Sequence, residues 1–201
     1  MTDALELPCI LRLKNRNVAT LSLVGPTDGG GLLEFYRGMP PEDRLLLMDD
    51  VTTADWLDRF LAKLACGEAI SVIGRVDGKI RGEGTLHRTL HGWSRHVGEI
   101  RLSVDRLARG QGLGLALARQ IVKIATDAGI DKLIAQMVEG QPAAKRTFEK
   151  LGFHKEAELP GHVTDVHGKR RDLLIYADDV SHIWSAMENL LVDFRPDRAS
   201  R

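Results

Sequence analysis

The sequence predicts a mixed α/β fold of the α+β kind, in which strands and helices stack in layers. Strand-like and helix-like segments alternate along the chain, with no repeat of fixed period and no low-complexity stretch. In the middle, three strand-like segments come before the main helix, and the first two are joined by the tight-turn pair Asp77-Gly78. Such a meander is antiparallel, because parallel neighbours need a long crossover, so an all-parallel doubly wound sheet is disfavoured. The 201 residues, 43% of them apolar, suffice for one globular domain with a buried core. The expectation is a single domain over 1–201, with its core at about 18–180 and an added C-terminal helix at about 182–194.

Residues 18–24 (VATLSLV) alternate in polarity and stop at Gly25-Pro26, the pattern of a strand. Thr27 or Asp28 stands where a cap precedes a helix carrying Leu32, Leu33, Phe35 and Tyr36. Pro40-Pro41-Glu42-Asp43 is a break, with Pro41 suited to a first helical turn. A stronger helix starts near Thr52 or Thr53: Trp56, Leu57, Phe60, Leu61 and Leu64 recur at helical spacing, and Gly67 fits the residue that ends it. Residues 69–76 read as a strand, and Lys79 to His87 returns beside it. A polar, flexible connection over 88–96 leads to a strand at 97–105. There Ile100, Leu102 and Val104 face one way and Glu99, Arg101 and Ser103 the other.

Arg109-Gly110-Gln111-Gly112-Leu113-Gly114 follows that strand and opens a helix. Leu113, Leu117, Ile121, Ile124 and Ala128 form its apolar stripe, and Gly129 stops it. Alternate glycines remove the Cβ atoms that would keep an anion from the backbone, so loop and helix N–H groups can converge on a phosphate or pyrophosphate. Arg109 adds a guanidinium suited to phosphate oxygens. The same glycines also suit a plain tight turn, and spacing alone leaves both readings open. The dinucleotide fingerprint does not fit, because Leu115 stands where its third glycine belongs. The Walker loop does not fit either, because Gly114 is followed by Leu115-Ala116.

The segment resembles the GCN5-related N-acetyltransferases (GNAT), whose acyl-CoA loop reads Gln/Arg-x-x-Gly-x-Gly/Ala. Arg109, Gly112 and Gly114 match it. Residues 132–138 (KLIAQMV) look like the next strand, and Gln141 to Phe153, with Ala144, Phe148 and Gly152, is similar to the family's second cofactor motif. Bacterial protein-lysine-acetyltransferase domains are the nearest likeness within the family. The resemblance implies a mostly antiparallel central sheet flanked by helices, acetyl-CoA as co-substrate and direct acetyl transfer to an amine; from the residues themselves no metal is expected. It implies that Leu102, Ser103 and Val104 pair with the pantetheine arm as if with a short strand. The pyrophosphate would lie on Arg109, Gly110, Gln111, Gly112, Leu113, Gly114 and Leu115, with Gln141, Lys145 and Phe148 also near the cofactor. Glu99, ten residues before Arg109, would be the catalytic base. Two departures stand out: Gln141 replaces the usual Asn, and Phe148 occupies the position where many members carry a Tyr that protonates the thiolate. Phe has no proton to give. A thiol leaves readily, with a reference pKa of about 8.5, so water can serve instead. The missing Tyr also motivates a second reading, a non-catalytic acetyl-CoA sensor or regulatory domain.

The remaining features are weaker. His87, His91 and His96 surround the polar connection without further ligands at metal spacing, which favours a substrate-side loop. His162, Asp165 and His167 precede the turn Gly168-Lys169, and the resemblance places that hairpin beside the acceptor. Cys9 and Cys66 read as core residues, and two cysteines suggest neither a disulfide framework nor a zinc site. Residues 182–194 repeat Ile183, Trp184, Met187, Leu190, Leu191 and Phe194 at helical spacing, for packing on the same domain or for a homodimer contact. The tail after it reads as frayed. Lys plus Arg and Asp plus Glu number 28 each. The balance argues against a nucleic-acid partner, since phosphate binding rests on surplus Lys and Arg. No apolar run of 18 and no secretory leader is visible, so no membrane partner and a cytoplasmic location are expected. The acceptor is an amine, on protein lysine or a small molecule, that the sequence does not specify.

Overall fold

Strand β1 (Cys9–Arg12) opens the chain in the computed structural model, which describes residues 6–44, 47–165 and 167–191. It pairs with β2 (Val18–Leu23), and α1 (Gly29–Gly38), α2 (Pro41–Arg44) and α3 (Ala54–Cys66) follow. Then come the meander β3 (Ala69–Val76), β4 (Lys79–Arg88) and β5 (Val97–Val104), the main helix α4 (Leu113–Asp127), β6 (Lys132–Val138), α5 (Pro142–Lys150), β7 (His154–Thr164), β8 (Arg170–Asp179) and α6 (Val180–Leu191). Local chemistry explains several boundaries. Asp77 and Gly78 both take positive φ (52° and 75°), the geometry of a two-residue hairpin turn that matches strand twist. The Thr53 hydroxyl accepts the Trp56 N–H at the start of α3, and Gly67 ends that helix in the left-handed region.

The eight strands form one sheet in the order β1-β2-β3-β4-β5-β6-β8-β7. Every neighbouring pair is antiparallel except β5 with β6. Helices cover both faces. Leu32, Phe35, Tyr36, Trp56 and Phe60 of α1 and α3 pack with Ile73 and Ile80 on one side. Leu113, Leu117, Ile121 and Ala125 of α4 pack with Val72, Leu86, Ile100 and Leu133 on the other, where Ile183 and Met187 of α6 join them. α4 lies close on the strands because Gly82 presents no side chain: a Cβ there would stand 2.9 Å from Leu117 Cδ1.

Several expectations need adjustment. β1 carries no sequence signal long enough to announce it; its exposed and buried residues alternate over only four positions. Asp28 is the residue before α1, yet its side chain caps nothing there and instead accepts from Arg75 at 2.5 Å and from the Gly25 N–H at 2.8 Å. Cys9 is buried, but Cys66 is exposed on the last turn of α3 and is not a core residue. α6 starts two residues earlier than expected and packs on α4, with the Arg119 guanidinium 5.5 Å from the Trp184 ring centre. The Leu191 side chain, Phe194 and the tail lie outside what is described. Among the described residues, no helix is long and apolar enough to cross a membrane.

Candidate active site

The parallel pair is where the sheet opens. β5 and β6 are in register only at Val97↔Lys132, Gly98↔Leu133 and Glu99↔Ile134. Beyond that point β6 stays with β8 as far as Val138, and β5 stays with β4 as far as Val104. The β5 edge from Ile100 to Val104 therefore turns to β6 without a strand partner among the described residues. Leu102, Ser103 and Val104 lie on this edge, half-buried. A cleft of about 170 Å³ occupies the opening, walled by Tyr36 of α1, Phe60 of α3, Glu83 of β4, Ser103 of β5 and Phe148 of α5.

At the far end of β5 the chain makes one 3-10 turn (Arg106–Ala108) and enters the glycine loop. Gly110 and Gly112 have φ of 72° and 96°, a region that favours glycine. Gly112 precedes α4 directly, so the first-turn N–H groups of Leu113, Gly114 and Leu115 point out of the helix end, where its dipole is positive. The Lys14 N–H braces the loop by donating to the Gln111 carbonyl at 3.0 Å. The Arg109 side chain is engaged: Nε donates to the Val104 carbonyl at 2.9 Å and the guanidinium pairs with Asp43 at 2.8 Å. Arg106 meets the same Asp43. Hydrogen bonds from Arg106 and then Arg109 hold the Asp43 carboxyl below the ordinary range. The Leu113 side chain is core, so only its backbone is available to a ligand.

On the cleft side of the sheet, Glu83 faces Ser103 across the strands, Thr85 faces Arg101, and His87 faces Glu99. Glu99 is bound by Arg101 (2.8 and 3.4 Å), whose guanidinium also reaches Asp49 at 3.4 Å. Burial, then the charges of Arg101 and Lys63, push His87 down to about 4, so its imidazole is neutral near pH 7. Glu83 is a residue that sequence reasoning misses. It is 5% exposed and accepts from three hydroxyls: Tyr36, Ser71 at 2.8 Å and Thr85 at 2.6 Å. Burial first, then the Glu83 charge, push the Tyr36 phenol well above its ordinary value. One signal for Glu83 exists in the sequence: a lone carboxylate between Gly82 and Gly84, inside a strand.

The other candidates separate. The Gln141 side-chain oxygen accepts the Val138 N–H at 2.9 Å and lies at the cleft, where Phe148 is buried edge-on to Phe153. Lys145 is exposed and pairs with Glu149 on its own helix, away from the cleft lining. His87 lines the cleft, whereas His91 and His96 are exposed. The Asp165 carboxylate takes the His167 and Lys169 N–H groups and Arg171, organising the β7–β8 turn.

The family model described as "Acetyltransferase (GNAT) family" matches residues 32–153. The Bacillus subtilis (strain 168) protein named "Putative phosphinothricin acetyltransferase YwnH" is 32% identical over 83 residues, 41% of this chain and 50% of that protein. The chain thus spans about half the length of this curated relative. Mycobacterium smegmatis RimJ, solved in complex with CoA-disulfide, superposes with a TM-score of 0.74 at 18% identity, over 93% of this chain and 95% of its own. The yncA protein of Salmonella typhimurium, solved with its cofactor acetyl-CoA, has a TM-score of 0.67 at 19% identity, over 81% of this chain and 94% of its own. At these identities the two structures are similar to this chain in fold.

Proposed function

The chain belongs to the acetyltransferase (GNAT) family, and on that premise we propose that it transfers the acetyl group of acetyl-CoA directly to an amine, on protein lysine or a small molecule, in a ternary complex. The observation that carries the reading is the unpartnered β5 edge running into the glycine loop. An extended amide chain can lie along Leu102, Ser103 and Val104 by strand-like hydrogen bonds. The N–H groups over Gly110, Gln111, Gly112, Leu113, Gly114 and Leu115 suit the pyrophosphate, and glycine at the positive-φ positions 110 and 112 puts no Cβ in its way. Arg109 joins them on leaving Asp43. Gln141 and Phe148 border the thioester end. Lys145 has only a peripheral part, on the solvent side of α5.

The amine is mostly protonated near neutral pH and must lose a proton before it attacks. The oxyanion formed at the thioester carbon needs a donor, and an N–H that β5 turns to the open side of the sheet would serve. Two carboxylates of β4 and β5 lie on this face of the sheet. Glu99, the base expected from the sequence, binds Arg101 through both oxygens and is not among the residues that line the cleft. Glu83 is the other. The test is release of CoA thiol by the full chain with acetyl-CoA and an amine panel. Release that depends on the acceptor supports transfer. Tight binding of acetyl-CoA with no release for any amine would favour a non-catalytic sensor.

A further inference from the structure

We propose that Glu83, held in place by Tyr36, is the carboxylate that receives the acceptor's ammonium group and takes its proton. The inference rests on the acetyl-transfer reading and assigns its acceptor end. Position decides between the carboxylates. Glu83 stands opposite Ser103 in the strand register, and neighbouring strands lie about 4.8 Å apart. Glu83 is thus one strand away from the Leu102–Val104 edge proposed for the pantetheine arm. Glu99 lies four residues before Ser103, about 13 Å along the strand, at the point where β5 and β6 are still joined.

The surroundings of Glu83 favour a cation. It is buried, lines the cleft, and has no ion-pair partner among the described residues. Its three hydroxyl partners fix the carboxylate without neutralising it. A buried anion without a counter-ion is costly, and an entering ammonium group removes that cost. The groups facing it are Tyr36 from α1, Ser71 from β3, Thr85 on its own strand, and Ser103 and Arg101 from β5. Arg59 and Lys63 of α3, Asp49 and His87 line the same cleft. Arg101 is already paired with Glu99 and Asp49, so the part left to Glu99 is structural, to hold that guanidinium.

The step balances. The ammonium gives one proton to the Glu83 carboxylate, and the freed nitrogen pair attacks the thioester carbon. The C–N bond forms and the C–S bond breaks, its electron pair going to sulfur. The second N–H proton neutralises the thiolate, and Glu83 returns its proton to solvent. Tyr36 touches no reacting atom in this scheme; it is a positioning residue.

The experiment compares wild type, Glu83→Gln, Glu83→Asp, Tyr36→Phe and Glu99→Gln. CoA thiol release is followed from pH 6 to 10 with spermidine, a lysine-containing peptide and a free L-amino acid, and acetyl-CoA affinity is measured separately. Glu83→Gln should lose about a hundredfold or more in kcat/KM near pH 7, recover as rising pH supplies free amine, and bind acetyl-CoA as before, with partial rescue in Glu83→Asp. Tyr36→Phe should displace the acidic limb of the pH profile while leaving acetyl-CoA affinity unchanged. Glu99→Gln should stay within about tenfold of wild type. Glu83→Gln turning over within threefold of wild type overturns the proposal, as does Glu99→Gln losing the pH-dependent limb instead. If Glu83→Gln fails to bind acetyl-CoA, the Tyr36→Phe profile decides, and an unmoved limb overturns the assignment. A wild type that releases no thiol with any amine overturns the transfer reading itself, a result distinct from these.

Discussion

Replacing Gly112 by alanine separates the loop's conformational role from the binding role proposed for it. Gly112 sits at φ 96° immediately before α4. An L-residue in that region costs roughly 1–2 kcal/mol. For a chain of this size each kcal/mol moves the melting midpoint by about 2–4 °C, so the unliganded variant should melt about 2–8 °C lower than wild type. Acetyl-CoA at a hundred times its Kd adds about 2.7 kcal/mol to the wild type, which is about 5–11 °C. On the proposed placement, the added methyl group would stand where the backbone meets the pyrophosphate. A tenfold loss of affinity at the same ligand concentration removes about 1.4 kcal/mol, or about 3–6 °C, of that gain. Thermal melts with and without acetyl-CoA, paired with calorimetric titration, read both quantities. A variant that melts lower yet keeps the full ligand-induced shift and the wild-type Kd would refute the placement of the pyrophosphate on this loop.

Three further outcomes follow from other contacts. Asp43→Asn releases Arg109 from its ion pair, and calorimetry should show acetyl-CoA binding a few-fold tighter, the scale of an exposed ion pair; weaker binding would contradict the competition drawn between Asp43 and phosphate. His87 is held neutral down to about pH 4, whereas in the unfolded chain it takes a proton below about 6.5. The unfolded state then binds more protons, so stability falls as pH drops from 6.5 to 4, by at most about 3 kcal/mol; urea unfolding at pH 7 and 4.5 should show this component in wild type and not in His87→Gln. Leu117→Ala empties a fully buried site between α4 and Gly82 and should cost about 2–5 kcal/mol in denaturant unfolding.

The sheet's centre is legible in the sequence because its signals are local. Asp77-Gly78 needs positive φ at two consecutive residues, and only a few turn residues supply it, so the β3–β4 hairpin follows from one dipeptide. α3 announces both its ends, through Thr53 and Gly67. The glycine loop is legible as a strand-to-helix turn, because Gly110 and Gly112 take positive φ just before α4. β1 escapes because four alternating residues fall below any usable period, and its pairing with β2 is a tertiary fact. Asp28 reads as a helix cap, but the Arg75 guanidinium, brought in from β3, claims its carboxylate instead. Arg109 reads as a free phosphate ligand, although Asp43, far away in sequence, occupies it. Glu83 escapes because nothing in the sequence places Tyr36, Ser71 and Thr85 around it; that constellation exists only once α1 lies across β3 and β4.

The most direct test of acetyl-CoA binding along β5 and the glycine loop is a crystal structure of the chain with that molecule. The expected result has the pantetheine amides paired with the backbone of β5 between Leu102 and Val104, the pyrophosphate on the N–H groups of 110–115, and the acetyl group opening toward Tyr36 and Glu83. An acetyl-CoA molecule bound elsewhere, with the β5 edge empty and the loop untouched, would contradict it.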